Sequence, residues 1–558
     1  MTIAPGPVLG RCCLDARFIP YRAKRTVMSE LSRLNVTYAD DPRVLAEQSA
    51  EDYSRHVVPL SARTNRWSLT MASWSVLSAM FYLYISVAVT QSVGSKNAMI
   101  GIALSALFYG GINYVISQRS IKNGLTVALL SRGIFGGVGA IISSLLFAVT
   151  ATYYAVFEGS IIAVAFQQYF APHSDMRWWY LLVVLYALPL VMGSVQVWLD
   201  KLNGALLPLY IVGLALVIFM AGNKYGFTTS FLSIPASTDP VVPGWMWAFI
   251  VYMGICVNMM VTAEFSRFGK PADARFHGLI TFGPVFYFAL FIVNGLAGVF
   301  IMNTVFPGLQ ASERGVAEAI LNAAGFLGLI FILISQTRIN TANYYVASLN
   351  FAGFAARGLR LSWPRWVWVL FVGCCVYLLM LTNVFNYLLK ALAWQGVAVT
   401  AWVAILMTHY ALNRDAEHGL EFRPGRVKAI MPGAWAMIIS TVVGIAVVEG
   451  GTKGSWYVEI APILISGLAA LSYWVIVKCV AGEVIARSSD PRDEVVDVWL
   501  AHIECHVCNR SYSAIEMDRD PSAEQQAICA SCAEGNYIFL QSAREEGSNM
   551  RVSPAQAR

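Results

Sequence analysis

The chain has 558 residues, of which 57% are hydrophobic and only 13% are charged, and its mean hydropathy is +0.58. Soluble domains carry about 25% charged residues, so this composition excludes an ordinary soluble protein and indicates many membrane-spanning helices. The net charge of +6 is too modest to indicate nucleic-acid binding. The N-terminal region is polar and lacks an apolar core segment, so no cleavable signal peptide is predicted.

Residues 1–62 form a polar arm with charges of both signs, which we expect to be cytosolic and partly disordered. Apolar runs then recur, each long enough to cross roughly 30 Å of hydrocarbon as a helix. We predict twelve spans, at residues 68–91, 98–117, 134–168, 178–198, 204–221, 244–262, 279–303, 320–354, 366–384, 391–409, 429–448 and 457–481. The pattern therefore predicts an all-α polytopic membrane domain over residues 63–486.

Loop charges predict the orientation of this domain. Loops on the side of the N-terminus carry clusters of basic residues, such as Arg119, Lys122 and Arg132, whereas the opposite loops carry isolated ones, such as Lys96 and Arg177. Because basic residues concentrate on the cytosolic side, we expect a cell-membrane protein with both termini in the cytosol.

The third apolar run carries Tyr154 and Glu158, four residues apart. On a helix these side chains share one face. A carboxylate inside hydrocarbon costs roughly 2.5–3.5 kcal/mol unless it is paired or hydrated. Glu158 is therefore a candidate functional residue; the alternative is that it neutralises a structural partner or stays protonated.

The sixth apolar run contains Gly254 and Asn258. Gly254 either marks a helix break, which would free backbone groups for a ligand, or is a helix-packing site. The Asn258 amide can both donate hydrogen bonds to a polar ring and accept them from it.

The eighth apolar run contains a polar patch at residues 335–343 with Arg338 inside it. Arg338 stays charged, so it either reaches the cytosolic surface or lies in the core as a fixed cation, and we favour the core. Asn340 and Asn343 cannot both face one ligand together with Arg338, so part of the patch serves helix–helix contact.

Residues 487–558 form a tail with two cysteine pairs, Cys505-His506-Val507-Cys508 and Cys529-Ala530-Ser531-Cys532. Such pairs can place four thiolates tetrahedrally around zinc, and a cytosolic location keeps the thiols reduced. We predict a structural, ribbon-like zinc site; the alternatives are unliganded cysteines and a redox pair. Nothing in the tail indicates nucleic-acid binding, so its expected partner is an unidentified protein.

The region from about Arg63 to Ala486 resembles the nucleobase–cation symporters, which include hydantoin, cytosine, uracil and allantoin permeases. Three stretches carry the resemblance: Ser131-Arg132-Gly133-Ile134-Phe135-Gly136, Glu264-Phe265-Ser266-Arg267-Phe268 and Asn340-Thr341-Ala342-Asn343. The resemblance implies twelve spans, ten of them in the five-plus-five inverted repeat of the leucine-transporter type. It also implies that broken spans one and six line a site near the membrane midplane.

Site residues follow from the same resemblance. The family's stacking tryptophan falls on Tyr154, its substrate-binding glutamine on Glu158, its second stacking aromatic on Ile255 and its span-eight asparagine on Asn343. Isoleucine at position 255, next to Gly254, implies one-sided stacking of a flat ring. A glutamate at position 158 can accept hydrogen bonds from the ring, pair with a cationic ring or carry a proton.

The cation site of sodium-coupled relatives implies carbonyls from about Ala79 and Tyr82 and hydroxyls at the positions of Thr337 and Arg338. A guanidinium at position 338 would exclude Na⁺ by charge and volume. We therefore expect sodium-independent uptake, with H⁺ as the candidate coupling ion through Glu158.

Together these features predict a secondary-active importer of a nucleobase or related nitrogen heterocycle across the lipid bilayer. The alternative substrate is a cationic pyrimidine such as thiamine, which Glu158 would suit. The alternative class is a membrane sensor that signals through its zinc tail. No nucleophile–base set or phosphate-binding loop indicates an enzyme.

Overall fold

The computed structural model of the chain describes residues 32–192, 195–359, 361, 363–382, 384–413, 419–452, 454–479 and 484–552. Residues 1–31 of the predicted arm and 553–558 of the predicted tail lie outside the described residues.

Each of the twelve predicted spans has a helical counterpart in the described part of the chain. Eight helices are long and apolar enough to cross a membrane, two bent helix pairs pass the same test together, and two shorter apolar helices complete the set. Numbered as spans one to twelve after the predicted runs, these helices are, in order, Arg66–Ser73 with Met80–Val93, Ser95–Asn123, Val127–Phe170, Met176–Met192, Val195–Tyr225, Gly244–Met253 with Val257–Ser266, Pro271–Val305, Glu313–Phe354, Arg365–Met380, Val384–Leu412, Pro432–Gly450 and Ala461–Cys479.

Spans three and eight are far longer than a bilayer requires, and each contains one kink. A straight helix rises about 1.5 Å per residue, so the 44 residues of span three would overshoot the hydrocarbon layer. Gly136 in span three has φ +86° and Gly325 in span eight has φ +52°, a region that glycine enters most readily. The kinks in spans three and eight and the breaks in spans one and six thus recur five spans apart.

Spans three and eight pack along each other in the middle of the bundle. The buried apolar side chains of the bundle form one continuous core that also includes residues of spans one and six. The two broken spans and the two long spans therefore meet in the interior.

The described parts of the arm and the tail fold together into one unit. Strand β1 (Val36–Thr37) of the arm pairs antiparallel with β2 (His502–Glu504) of the tail, and β2 pairs with β3 (Ser511–Ser513). A second hairpin, β4 (Met517–Asp520) with β5 (Gln526–Cys529), is followed by helices Ala530–Gly535 and Tyr537–Val552. The arm and the tail, predicted as separate segments, share a sheet and a small core formed by residues between 34 and 44 and between 495 and 543; residues 32–62 and 484–552 together are called the arm–tail module below.

Charged contacts hold this module against the loop between spans ten and eleven. Arg423 lies 2.6 Å from Asp490 and 2.7 Å from Glu421, and Arg426 lies 2.9 Å from Asp518. Burial alone would raise the pKa of Glu421, but Arg423 and Arg492 lower it to about 2. The Glu421 carboxylate is thus charged at neutral pH, and removing it would leave the buried guanidinium groups of Arg423 and Arg492 to share Asp490 alone.

Candidate functional site

Spans one and six are each broken inside the bundle. The two halves of span one meet at 44° and those of span six at 46°. Gly254 lies in the second break, as one of the two sequence interpretations predicted. It also packs against Gly396 of span ten, because a Cβ added to Gly396 would lie 3.3 Å from the Gly254 Cα. The break and the packing contact therefore occur at the same residue.

A cavity lies between these breaks and the middle of spans three and eight. It is lined by polar and aromatic groups from four spans and by apolar side chains such as Phe147 and Val346. Six of the residues singled out in the sequence line it: Ala79, Tyr82, Tyr154, Glu158, Asn258 and Asn343. Gly254, Ile255, Thr337 and Arg338 do not line it.

Glu158 is 1% exposed and faces the start of the second half of span one. Its carboxyl group points to the backbone N–H groups of Met80 and Phe81 and to the side-chain amide of Gln336. The first N–H groups of a helix have no partner within the helix and carry a partial positive charge. The carboxylate of Glu158 thus meets the positive end of a half-helix, and its Oε2 has no hydrogen-bond partner among the described residues.

Tyr154 presents a ring to the cavity one helical turn before Glu158. Phe81 packs edge-on against this ring, with 5.8 Å between centroids, and the Tyr154 hydroxyl lies beside Gln395. Ile255 is buried in the core instead of lining the cavity. The cavity therefore offers the ring of Tyr154 for stacking, and position 255 supplies no second ring.

Two asparagines complete the polar lining. The Asn258 amide donates to the Tyr82 hydroxyl at 2.8 Å, which joins spans six and one. The Asn343 Nδ2 has no hydrogen-bond partner among the described residues. Asn340, in contrast, lies against Gly159 of span three. Of the two asparagines in span eight, Asn343 therefore faces the cavity and Asn340 lies in the contact with span three.

Arg338 lies in the core and is fully buried. Its Nη2 donates to the carbonyl of Trp74 at 3.1 Å, at the end of the first half of span one, and its guanidinium lies 5.9 Å from the ring centroid of Tyr210. The last carbonyls of a helix carry a partial negative charge. Arg338 is thus a fixed positive charge at the break, and neither it nor Glu158 has an ion-pair partner within 4 Å in the described chain.

The oxygens of the other residues of the predicted cation site all have hydrogen-bond partners within the protein. The Ala79 carbonyl accepts from the Tyr82 N–H at 3.2 Å, and the Tyr82 carbonyl accepts from the Ser86 hydroxyl at 2.9 Å. Thr337 bonds to Tyr186 of span four and donates to the Leu333 carbonyl. These oxygens are therefore already occupied by contacts within the protein.

Several residues of the site were not singled out from the sequence. Gln336 faces Glu158, and the Ser335 hydroxyl donates to the Ser78 carbonyl at 2.5 Å. Both belong to the polar patch of span eight, so their polarity inside an apolar run was the available signal. The roles of Phe81 and Trp74 depend on the backbone at the break, which side-chain chemistry does not reveal.

Two of the three stretches that carried the family resemblance, residues 131–136 and 264–268, lie at the end of span three nearest the arm–tail module. The Glu264 carboxylate accepts from the backbone N–H of Val127, the first residue of span three, at 2.9 Å and pairs with Arg267 at 3.1 Å. A Cβ at Gly136 would lie 2.6 Å from the Ala429 carbonyl oxygen. These motif residues therefore fix where span three begins and where it bends.

The four tail cysteines form a compact cluster. Cys505 and Cys508 lie in the turn between β2 and β3, while Cys529 ends β5 and Cys532 lies in the helix that follows. Their four sulfur atoms all lie within 4.8 Å of one another. Four sulfurs placed tetrahedrally at about 2.3 Å from a zinc ion would be about 3.8 Å apart, so the cluster is of the size that a thiolate-bound metal requires.

Two solved structures of one transporter resemble this fold. The structure of Mhp1, described as a nucleobase-cation-symport-1 family transporter, in a closed conformation with bromovinylhydantoin bound has a TM-score of 0.59 at 13% identity, covering 76% of this chain and 95% of that one. The inward-facing conformation of Mhp1 has a TM-score of 0.56 at 14% identity, covering 76% and 93%.

A third solved structure, a substrate-bound outward-open state of a Na⁺-coupled sialic acid symporter, has a TM-score of 0.51 at 14% identity and covers 79% of this chain and 96% of that one. At these identities the likeness concerns the fold. No curated protein matches the chain. Residues 57–476, however, match the family described as permeases for cytosine/purines, uracil, thiamine and allantoin. This match spans most of the chain, which therefore belongs to that family of membrane transporters.

Proposed function

We propose that the chain is a secondary-active transporter that imports a nucleobase or a related nitrogen heterocycle. The observation that carries this proposal is the cavity at the two breaks, where the Tyr154 ring lies beside the unpartnered Glu158 Oε2 and Asn343 Nδ2. A flat ring with N–H and carbonyl edges would stack on Tyr154, donate to Glu158 and accept from Asn343. The recurrence of breaks and kinks five spans apart supports the inverted-repeat arrangement that such transport uses.

The charge of Glu158 favours one second candidate substrate. Since no basic side chain pairs with Glu158 among the described residues, a cationic ring could supply the missing charge. A cationic pyrimidine such as thiamine is therefore the alternative to a neutral ring that donates N–H groups.

We also propose that uptake is independent of Na⁺ and coupled to H⁺. Arg338 already places a positive charge on the carbonyl end of the first half of span one, where a bound cation would otherwise be favoured. Its guanidinium cannot release a proton usefully, whereas Glu158 can carry one into the cavity.

The arm–tail module supports the cytosolic location proposed for both termini. Its β1–β2 pairing requires the arm and the tail to lie on the same side of the membrane. The basic residues Arg132, Arg267, Arg357, Arg365 and Arg423 all lie at this side of the bundle, as the cytosolic side requires.

The cysteine cluster would hold one Zn²⁺. The Cys529 N–H donates to the Cys505 sulfur at 3.3 Å and the Cys532 N–H to the Cys529 sulfur at 3.4 Å, contacts that would stabilise thiolates. Four protein ligands leave no open position, so the ion would stabilise the fold of the module without taking part in transport chemistry.

A thermal-shift screen of the purified protein against uracil, cytosine, allantoin, hydantoin and thiamine, with and without Na⁺, tests the substrate proposal. We expect at least one heterocycle to raise the melting temperature, equally in sodium and choline buffers. Uptake of that compound into proteoliposomes should then follow an inward proton gradient. No stabilisation by any of these rings, together with no uptake, would refute the proposal.

A further inference from the structure

A turn of the arm joins spans six and nine at their cytosolic ends. Asp52 and Tyr53 both have positive φ, 48° and 54°, and Asp52 is 1% exposed. Arg267, next to the last residue of span six, donates to the Asp52 carbonyl at 3.0 Å. Arg365, the first residue of span nine, donates to the Asp52 carboxylate at 2.5 Å. Moving these two span ends apart would therefore break a buried ion pair.

A glutamate of the tail joins spans three and eight in the same way. The Glu534 Oε1 lies 2.5 Å from the Arg132 guanidinium at the start of span three and 3.7 Å from that of Arg357 just after span eight. The two arginine side chains are only 5% and 4% exposed. Since a buried guanidinium is costly without a counter-charge, Glu534 holds two span ends at once.

The segment that carries Cys529 and Cys532 contacts the arm and also contains Glu534. Glu534 follows Cys532 by two residues in the same short helix. Ser531, between Cys529 and Cys532, lies 3.2 Å from the Nε2 of His56. The other ring nitrogen of His56 lies 3.0 Å from Glu516 of the tail, which also accepts from the Val57 N–H. The segment that carries Cys529 and Cys532 thus positions Glu534, and it also positions the part of the arm that follows Asp52.

The joined spans include three that line the cavity. Span three contributes Tyr154 and Glu158, span six contributes Asn258, and span eight contributes Asn343. A cavity enclosed between packed spans opens to one side when the span ends on that side move apart. The Asp52 and Glu534 contacts oppose this movement on the cytosolic side.

We propose that the arm–tail module is a metal-responsive clamp, which holds the cytosolic side of the pathway closed while a thiophilic ion such as Zn²⁺ occupies the four cysteines. Loss of the ion loosens residues 529–534, releases Glu534 and the arm turn, and favours the inward-open state. The transporter thereby responds to the cytosolic metal supply. The inference rests on the metal site and the orientation proposed above, but its test needs no transported substrate.

Hydrogen exchange of the full-length protein in nanodiscs, followed by mass spectrometry, tests the clamp. The segments to follow are residues 127–135, at the start of span three, and residues 262–270, at the end of span six. Residues 95–105, at the opposite end of the bundle, serve as the internal reference. Zn²⁺-loaded wild-type protein is compared with protein stripped by a chelator. We expect exchange in both segments to become about threefold faster or more on stripping, because local opening governs exchange, and to return when Zn²⁺ is added back.

Two variants separate the clamp from general loss of the tail fold. Glu534→Gln and Asp52→Asn should retain Zn²⁺ yet exchange faster at the same segments by about threefold or more. Glu545→Gln, which changes an exposed carboxylate on the following helix, should match the wild type. Unchanged exchange in the stripped protein, or in both clamp variants, overturns the proposal. A wild-type chain that binds no Zn²⁺ overturns it as well, while leaving the proposed transport untouched.

Discussion

Glu158→Gln gives the sharpest test of the substrate site. The change keeps the size of the side chain but exchanges an anionic oxygen for an NH₂ group. Because the N–H groups of Met80 and Phe81 face this position, the new amide should turn its oxygen towards them and its NH₂ towards the place of Oε2. A substrate N–H would then meet a donor. The loss of a hydrogen bond to a charged acceptor, about 1.5–3 kcal/mol, corresponds to a roughly 10- to 150-fold weaker Kd.

The assay measures binding of the stabilising heterocycle to purified protein and its uptake into liposomes between pH 5.5 and 8. A glutamine cannot carry a proton, so the response of uptake to a proton gradient should disappear together with the affinity. Glu449→Gln, at the exposed end of span eleven where the carboxylate accepts from the Trp394 indole at 2.7 Å, is the matched control and should change neither property. Wild-type affinity and pH dependence in folded Glu158→Gln protein would refute the reasoning.

Four other outcomes are expected. Tyr154→Ala should weaken binding by about 1–3 kcal/mol, the scale of base stacking on an aromatic ring, while Tyr154→Phe should bind nearly as the wild type; equal Kd values for both would place the ring elsewhere. Replacing Na⁺ by choline should leave wild-type uptake unchanged, whereas Arg338→Gln should lose uptake or need an external cation; a strict Na⁺ requirement in the wild type would contradict this. Cys505→Ser with Cys529→Ser should remove about one equivalent of zinc by metal analysis, and an unchanged zinc content would disprove the site. A carboxyl group with a lowered pKa stabilises the folded state above its ordinary pKa, and this stabilisation is lost as the group is protonated, so the lowered pKa of Glu421 should make docking of the module weaken between about pH 4.5 and 2. Limited proteolysis should therefore cleave the module faster at pH 3 than at pH 6, and this difference should be smaller in Glu421→Gln.

The helices and the break in span six could be predicted because membrane insertion constrains sequence strongly. An apolar run must be helical in hydrocarbon, so the positions of the spans followed from composition. Gly254 stood out because glycine interrupts such a run, and Arg338 because a charge there needs a partner. The family match and the Mhp1-like fold confirm the resemblance that the three motifs indicated.

The contacts at the ends of the spans could not be predicted in this way. Asp52 is one of many charged residues in a polar arm, and nothing around it in the sequence indicates that Arg267 and Arg365 converge on it. Glu534 could not be singled out either, because its partners Arg132 and Arg357 are distant in the chain. The periodicity of a helix predicts which of its sides faces apolar surroundings. The ion pairs at the span ends depend instead on where the folded bundle places its loops.

The pairing of β1 with β2 also sets an order of assembly. Chains emerge from the ribosome N-terminus first, so Val36 must wait for its partner Ile503 until every span has been synthesised. A closure between residues so distant in the chain is slow and comes late. The arm can therefore complete its sheet only on a full-length product, and a prematurely terminated chain would carry an unpaired strand edge that quality-control proteases can recognise.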